Sequence, residues 1–179
     1  MKILIFGITG LIGNGIFVYL AKKNYLNVFG TFRDKKNILN DHNQINFDIH
    51  QIINNSELEN IFKKIKPDFV INCIGITKHR IESFDKKYIY RINSEFPRTL
   101  KNMSNKYKCK LVQISTDCVF LGDKGNYNER YTPDAKDLYA ISKINGEFND
   151  NKHLTIRTST VGHELETSYG LMEWFLKQE

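Results

Sequence analysis

The segment Gly7-Ile8-Thr9-Gly10-Leu11-Ile12-Gly13 follows the apolar run Ile3-Leu4-Ile5-Phe6 and opens a stretch with Leu11, Ile12, Ile16, Tyr19 and Leu20 at helical spacing. A strand that turns on glycine into a helix narrows the options sharply. Glycine permits the tight turn and lets the backbone approach a pyrophosphate, whose charge the helix N-terminus meets. The spacing is GxxGxxG rather than GxGxxG, and no Gly-Lys-Ser/Thr tail follows, which sets aside the phosphate loop of nucleoside triphosphatases. Gly7, Thr9, Gly10, Leu11, Ile12 and Gly13 are therefore candidate cofactor-binding residues.

The rest of the chain repeats the alternation of short apolar runs with amphipathic segments, the signature of a parallel α/β sheet. Strands are expected at residues 2–6, 27–32, 44–47, 68–73, 110–115 and 153–158. Helices are expected at 11–23, 57–64 capped by Ser56, 84–106 with a bend near Pro97, 138–148 and 169–177. Residues 117–137, with Gly122, Gly125 and Pro133, read as a long loop, and such loops inside compact domains tend to be functional. The fold class expected is α/β, a Rossmann-like doubly wound parallel sheet with helices on both faces.

Composition removes several classes of function. In 179 residues no apolar run approaches the ~18 needed to span a membrane, and the apolar N-terminal run is too short for a secretory signal, so a cytoplasmic protein is expected. Cys73, Cys109 and Cys118 are odd in number and form no CxxC pair, and the five histidines (His42, His50, His79, His153, His163) show no ligand spacing. Neither set suits a metal site. The net charge of +6 comes from lysines scattered in pairs such as Lys22-Lys23, Lys63-Lys64 and Lys86-Lys87 rather than gathered on one element, so no nucleic-acid partner is expected. A solvated basic surface suits an anionic substrate or cofactor.

The tip of the second strand selects between cofactors. A carboxylate there holds the ribose hydroxyl of NAD, whereas an arginine suits the 2′-phosphate of NADP. Here the strand ends Thr31-Phe32-Arg33, so NADP is favoured; NAD stays open because Asp34 follows one place later. Asp48 and Ile49, after the third strand, are candidates for the adenine pocket. Asn72-Cys73-Ile74-Gly75 ends the fourth strand where ligands of open parallel sheets collect, with Gly75 letting a ribose lie on the backbone. Cys73 reads as a small buried residue rather than a nucleophile.

Tyr139-Ala140-Ile141-Ser142-Lys143 carries the chemical signal. Positions i and i+4 share a helix face, and an ammonium beside a phenol is expected to lower its pKa from ~10. The phenol then exchanges a proton with a carbonyl or alkoxide oxygen. Thr116, at the tip of the fifth strand in Ser115-Thr116-Asp117, would hydrogen-bond the same oxygen.

These motifs resemble the extended short-chain dehydrogenase/reductase superfamily, and within it the dTDP-4-dehydrorhamnose reductase group. Further residues carrying the likeness are Arg91-Ile92-Asn93, Asp117-Cys118-Val119-Phe120, Ile144-Asn145-Gly146-Glu147 and Ile156-Arg157-Thr158-Ser159. The resemblance implies Thr116, Tyr139 and Lys143 as the catalytic trio, with Lys143 also holding the nicotinamide ribose and Asn93 supporting the fourth-strand end. It implies a nucleotide-sugar substrate, and a homodimer is compatible with it. Related dehydratases carry Asp-Glu after the threonine; here Asp117 is followed by Cys118, against dehydration. Related epimerases use an acidic second-strand tip, which Arg33 disfavours.

Members of the group continue into a substrate lobe, so residues 1–160 are expected to form the NAD(P)-binding domain and 161–179 the start of an incomplete lobe. The expected activity is reduction of a nucleotide-linked 4-keto sugar in surface-polysaccharide precursor synthesis. A non-catalytic nucleotide-binding or regulatory subunit and a nucleotide-sugar epimerase are the alternatives.

Overall fold

The computed structural model describes residues 1–33, 43–49, 56–78, 85–163 and 170–178. Asp34, His42, His50, His79, Phe84 and Tyr169 lie outside them.

Six strands form one parallel sheet: β1 (Lys2–Phe6), β2 (Asn27–Phe32), β3 (Gln44–Asn46), β4 (Phe69–Asn72), β5 (Lys110–Ser115) and β6 (Leu154–Arg157), in the order β3-β2-β1-β4-β5-β6. The order reverses at β1, which pairs with β2 on one side and β4 on the other. Open parallel sheets collect ligands at the carboxyl ends of the two strands beside such a reversal.

Strand periodicity divides the core. Leu4, Phe6, Val70 and Leu111 pack on one face with Leu58, Ile61 and Phe62 of helix α2 (Ser56–Ile65) and with Ile89, Ile92, Phe96 and Leu100 of the long helical stretch. Ile3, Ile5 and Val28 turn to the other face, against Phe17 of α1 (Leu11–Ala21). Phe6 meets Phe47 and Phe96 edge-on, with centroids 5.3 and 5.6 Å apart. Complete burial of an aliphatic side chain such as Leu4 contributes about 1.5–3 kcal/mol.

Four sequence expectations shift. In α1 the buried aromatic is Phe17, while Tyr19 is 62% exposed. The reason is Gly30, where an added Cβ would meet Ile8 at 2.6 Å and the Phe17 ring at 2.9 Å. The stretch after residue 84 is α3 (Lys86–Tyr90), a π-helical turn (Arg91–Glu95) and α4 (Phe96–Lys106), so the distortion falls ahead of Pro97. A proline ring clashes with the carbonyl four residues back, here that of Asn93, and the wider π turn relieves the conflict. Helix α5 (Leu138–Ile144) stops four residues earlier than the pattern implies, because Gly146 lies directly on the Asn93 carbonyl. The last helix, expected at 169–177, is α6 (Leu171–Leu176), and it buries none of its side chains.

Candidate active site

The glycine turn is built for close approach. Gly7 adopts φ +85°, and a Cβ there would meet Ile74 Cγ1 at 2.9 Å. At Gly13 a Cβ would collide with the carbonyl of Gly7 and sit 3.2 Å from Cys73 Cβ. The Gly7 and Ile8 amides both bond Thr31 O, at 3.2 and 3.0 Å, and Asn14 braces the turn through Ile8 O. Gly10 caps α1 without a side chain, and the first turn carries no acidic residue. The first-turn amides of a helix have no partner within it, so this end is electrostatically prepared for a phosphate. Thr9, Leu11 and Ile12 are half-buried around it.

The cradle continues onto β4. Cys73 donates its amide to Phe6 O at 3.0 Å, and burial pushes its thiol up to about 12, so it stays protonated. Asn72 accepts from Ile74 N at 3.1 Å and donates to Gln113 at 2.8 Å. Gly75 is exposed; a Cβ there would touch both Asn93 Oδ1 and Lys143 Nζ at 3.4 Å. The position beside Gly75 is thus bounded by Asn93 and Lys143.

Asn93 lies on the π turn, buried, with hydrogen bonds to Ile76 and to Ser142 Oγ. It is linked to the Gly75 turn and to α5 through those neighbours. Arg33 is exposed just past β2, its carbonyl bonded by Asn46 Nδ2. Asp48 is half-buried, while the Ile49 side chain belongs to the core rather than to an open pocket.

Thr116 and Tyr139 come together. Thr116 Oγ1 donates to Asp117 Oδ1 at 3.3 Å and accepts from Cys118 N at 3.1 Å, capping a short turn, Asp117–Val119, and it lies near enough to act on the Tyr139 phenol. Asp137 caps α5 by accepting from Ala140 N at 3.0 Å, which fixes where Tyr139 enters the helix. Lys143 is buried and donates to Ile114 O at 2.9 Å. Burial brings its ammonium down to about 8, against the pull of Glu147 and Cys73.

One electrostatic expectation is corrected. The Tyr139 phenol is raised above its ordinary value, mainly by burial and secondarily by Cys118, Asp117 and Asp137, with the Thr116 hydroxyl opposing. Lys143 shares the helix face, but its ammonium is directed to Ile114 O.

Ser115, Glu147, Arg157 and Ser142 join this network without having been assigned roles from the sequence. The i+4 spacing of Glu147 from Lys143 was the readable signal. Beyond β6, a Cβ on Gly162 would sit 3.4 Å from Leu11, so that segment returns over the start of α1.

The strand order, reversing beside a glycine turn, defines the Rossmann-like fold of the short-chain dehydrogenase/reductase superfamily. The family model described as RmlD substrate binding domain matches residues 1–173, and the chain belongs to that family. A hypothetical dTDP-4-dehydrorhamnose reductase from Sulfolobus tokodaii superposes with a TM-score of 0.76 at 29% identity, over 88% of this chain and 55% of its own. The dTDP-4-dehydrorhamnose reductase of Bacillus anthracis, solved in complex with NADP, gives 0.70 at 26%, over 92% and 56%. Methionine adenosyltransferase 2 subunit beta of Bos taurus is 22% identical over 146 residues, 82% of this chain and 41% of that protein. The chain therefore spans about half the length of the solved relatives and less of the curated one. No helix among the described residues is long and apolar enough to cross a membrane.

Proposed function

We propose that this chain supplies the cofactor-binding and proton-transfer part of an NADP-dependent reductase of a nucleotide-linked 4-keto sugar, serving surface-polysaccharide precursor synthesis. The observation that carries the reading is Thr116 beside the Tyr139 phenol, with buried Lys143 one helical turn on and its Nζ bordering the open position at Gly75. Similarity to a reductase solved with NADP supports the cofactor and the substrate class.

In this reading the Gly7–Gly13 turn and the first turn of α1 hold the pyrophosphate, and Arg33 meets the 2′-phosphate. Asp48 lies toward the adenine, and Cys73, Ile74 and Gly75 line the path to the ribose. Asn93 fixes Gly75 and its neighbours, and Lys143 holds the ribose hydroxyls. Bound NADPH supplies the hydride. Thr116 holds the substrate oxygen, and Tyr139 donates its proton as that oxygen gains charge. A phenol kept protonated by burial is suited to act as the acid in this direction. Residues 1–160 form the cofactor unit and 161–179 begin the substrate lobe.

The test is to titrate NADPH into the protein and follow its oxidation at 340 nm with a dTDP-4-keto sugar. Tight binding with turnover supports the reading; failure to bind either nicotinamide cofactor refutes it. The likeness to a protein named as a subunit favours a second reading, a nucleotide-binding subunit, which predicts NADPH binding without oxidation.

A further inference from the structure

Ser115 and Arg157 are register partners on the parallel strands β5 and β6, and both bind one carboxylate, that of Glu147. Ser115 Oγ donates to Glu147 Oε1 at 2.6 Å. Arg157 grips with two nitrogens, Nη2 to Oε2 at 2.7 Å and Nε to Oε1 at 3.0 Å. Bidentate arginine–carboxylate pairs combine charge with fixed geometry, so this contact resists rotation. Only a tenth of the Glu147 side chain is exposed. Arg157 also lies over the Phe120 ring, 5.1 Å from its centroid, which ties the start of the long loop to the same point.

Lys143 and Glu147 therefore hold consecutive residues of β5, the carbonyl of Ile114 and the hydroxyl of Ser115, immediately before Thr116. We infer that Glu147, fixed by Arg157, is a positioning residue: it locks the tip of β5 against α5 so that Thr116 and Lys143 stay in one site, and its negative charge supports the Lys143 ammonium. The inference rests on the proposed roles of Thr116 and Lys143. The titratable groups that act on Lys143 are Glu147, beyond its own helix, and Cys73, from the end of β4. The Cys73 thiol stays neutral at physiological pH, leaving Glu147 as the balancing charge.

A charge role and a merely structural role predict opposite signs. Removing the Glu147 charge while leaving Arg157 in place lowers the Lys143 titration midpoint. Loosening the structure admits water and raises it. The experiment is a pH titration of cofactor-free protein labelled with 13Cε-lysine, the Lys143 signal being assigned by its loss in Lys143→Met. Glu147→Gln, which keeps an acceptor for Ser115, is expected to move the midpoint below the wild-type value near 8. Arg157→Gln is expected to move it up, and Ser115→Ala to leave it in place. An unchanged or raised midpoint in Glu147→Gln overturns the inference. Should that variant not fold, Glu147→Gln in the Arg157→Gln background decides, and a midpoint there no lower than in Arg157→Gln alone overturns it. An NADPH titration of the same wild-type sample tests the functional reading separately, since the lysine signal needs no cofactor.

Discussion

Asn93 holds Ile76 by both backbone groups, accepting from its amide at 2.9 Å and donating to its carbonyl at 3.1 Å. One buried side chain on the π turn thus closes the backbone just past Gly75 and, through Ser142 Oγ at 3.0 Å, ties it to the helix that carries Tyr139 and Lys143. Asn93→Leu would leave the Ile76 N–H and C=O unpaired, at about 1–3 kcal/mol for each buried group. Urea unfolding should show a loss of about 3 kcal/mol, together with weaker NADPH binding.

Gly13 and Gly10 should respond differently to alanine. At Gly13 the new Cβ would run into the Gly7 carbonyl, backbone that cannot swing aside, whereas at Gly10 the nearest atom is 3.6 Å away and φ is −83°. Gly13→Ala should lower stability by about 1–3 kcal/mol and abolish dinucleotide binding. Gly10→Ala should keep its melting temperature within a few degrees while losing affinity, because only the phosphate approach is narrowed. Thermal melts with and without NADPH separate the two effects.

Tyr139→Phe removes the proposed proton donor and little else. Turnover should fall by about 10²-fold or more, with the NADPH dissociation constant changed only severalfold. In the wild type, turnover should decline as pH rises through about 8, where buried Lys143 loses its proton. Steady-state rates between pH 6 and 10 check both outcomes, and a profile flat through pH 8 would detach Lys143 from the chemistry.

His153 is buried, accepts from Leu111 N at 3.2 Å through Nδ1, and has its pKa lowered chiefly by burial. A histidine whose folded pKa lies below its unfolded value binds more protons unfolded. Stability is therefore full above the unfolded value of ~6.5 and declines as pH falls below it. Acidification from pH 7 to 5 should destabilise the wild type more than His153→Gln, as compared by urea midpoints.

How far the chain could be read depended on the range of the interactions. β1, β2 and β5 fall where their apolar runs place them, because alternation and turn residues act locally. The end of α5 and the π turn could not be read this way. The end of α5 falls where Gly146 meets the Asn93 carbonyl, a contact between segments about fifty residues apart that no local pattern encodes, while Pro97 marks a bend in the sequence without giving its π form. The Tyr139–Lys143 spacing correctly implied a shared helix face. The charge environment did not follow, since Ile114 O, Asp117 and Thr116 arrive from β5 and the turn after it.

The order of residues alone determined the alternating strands and helices, the glycine turn into α1 and the hydroxyl, phenol and amine that can carry the chemistry, because periodicity, backbone freedom and side-chain type are local properties. Only the folded chain decided that Gly75 opens between Asn93 and Lys143, that burial raises the phenol's pKa and weakens the lysine's hold on its proton, and that Glu147 is shared by Ser115 and Arg157. Those outcomes depend on desolvation and on distances between strands that meet only when the sheet closes, and both are set by the whole arrangement rather than by any one segment.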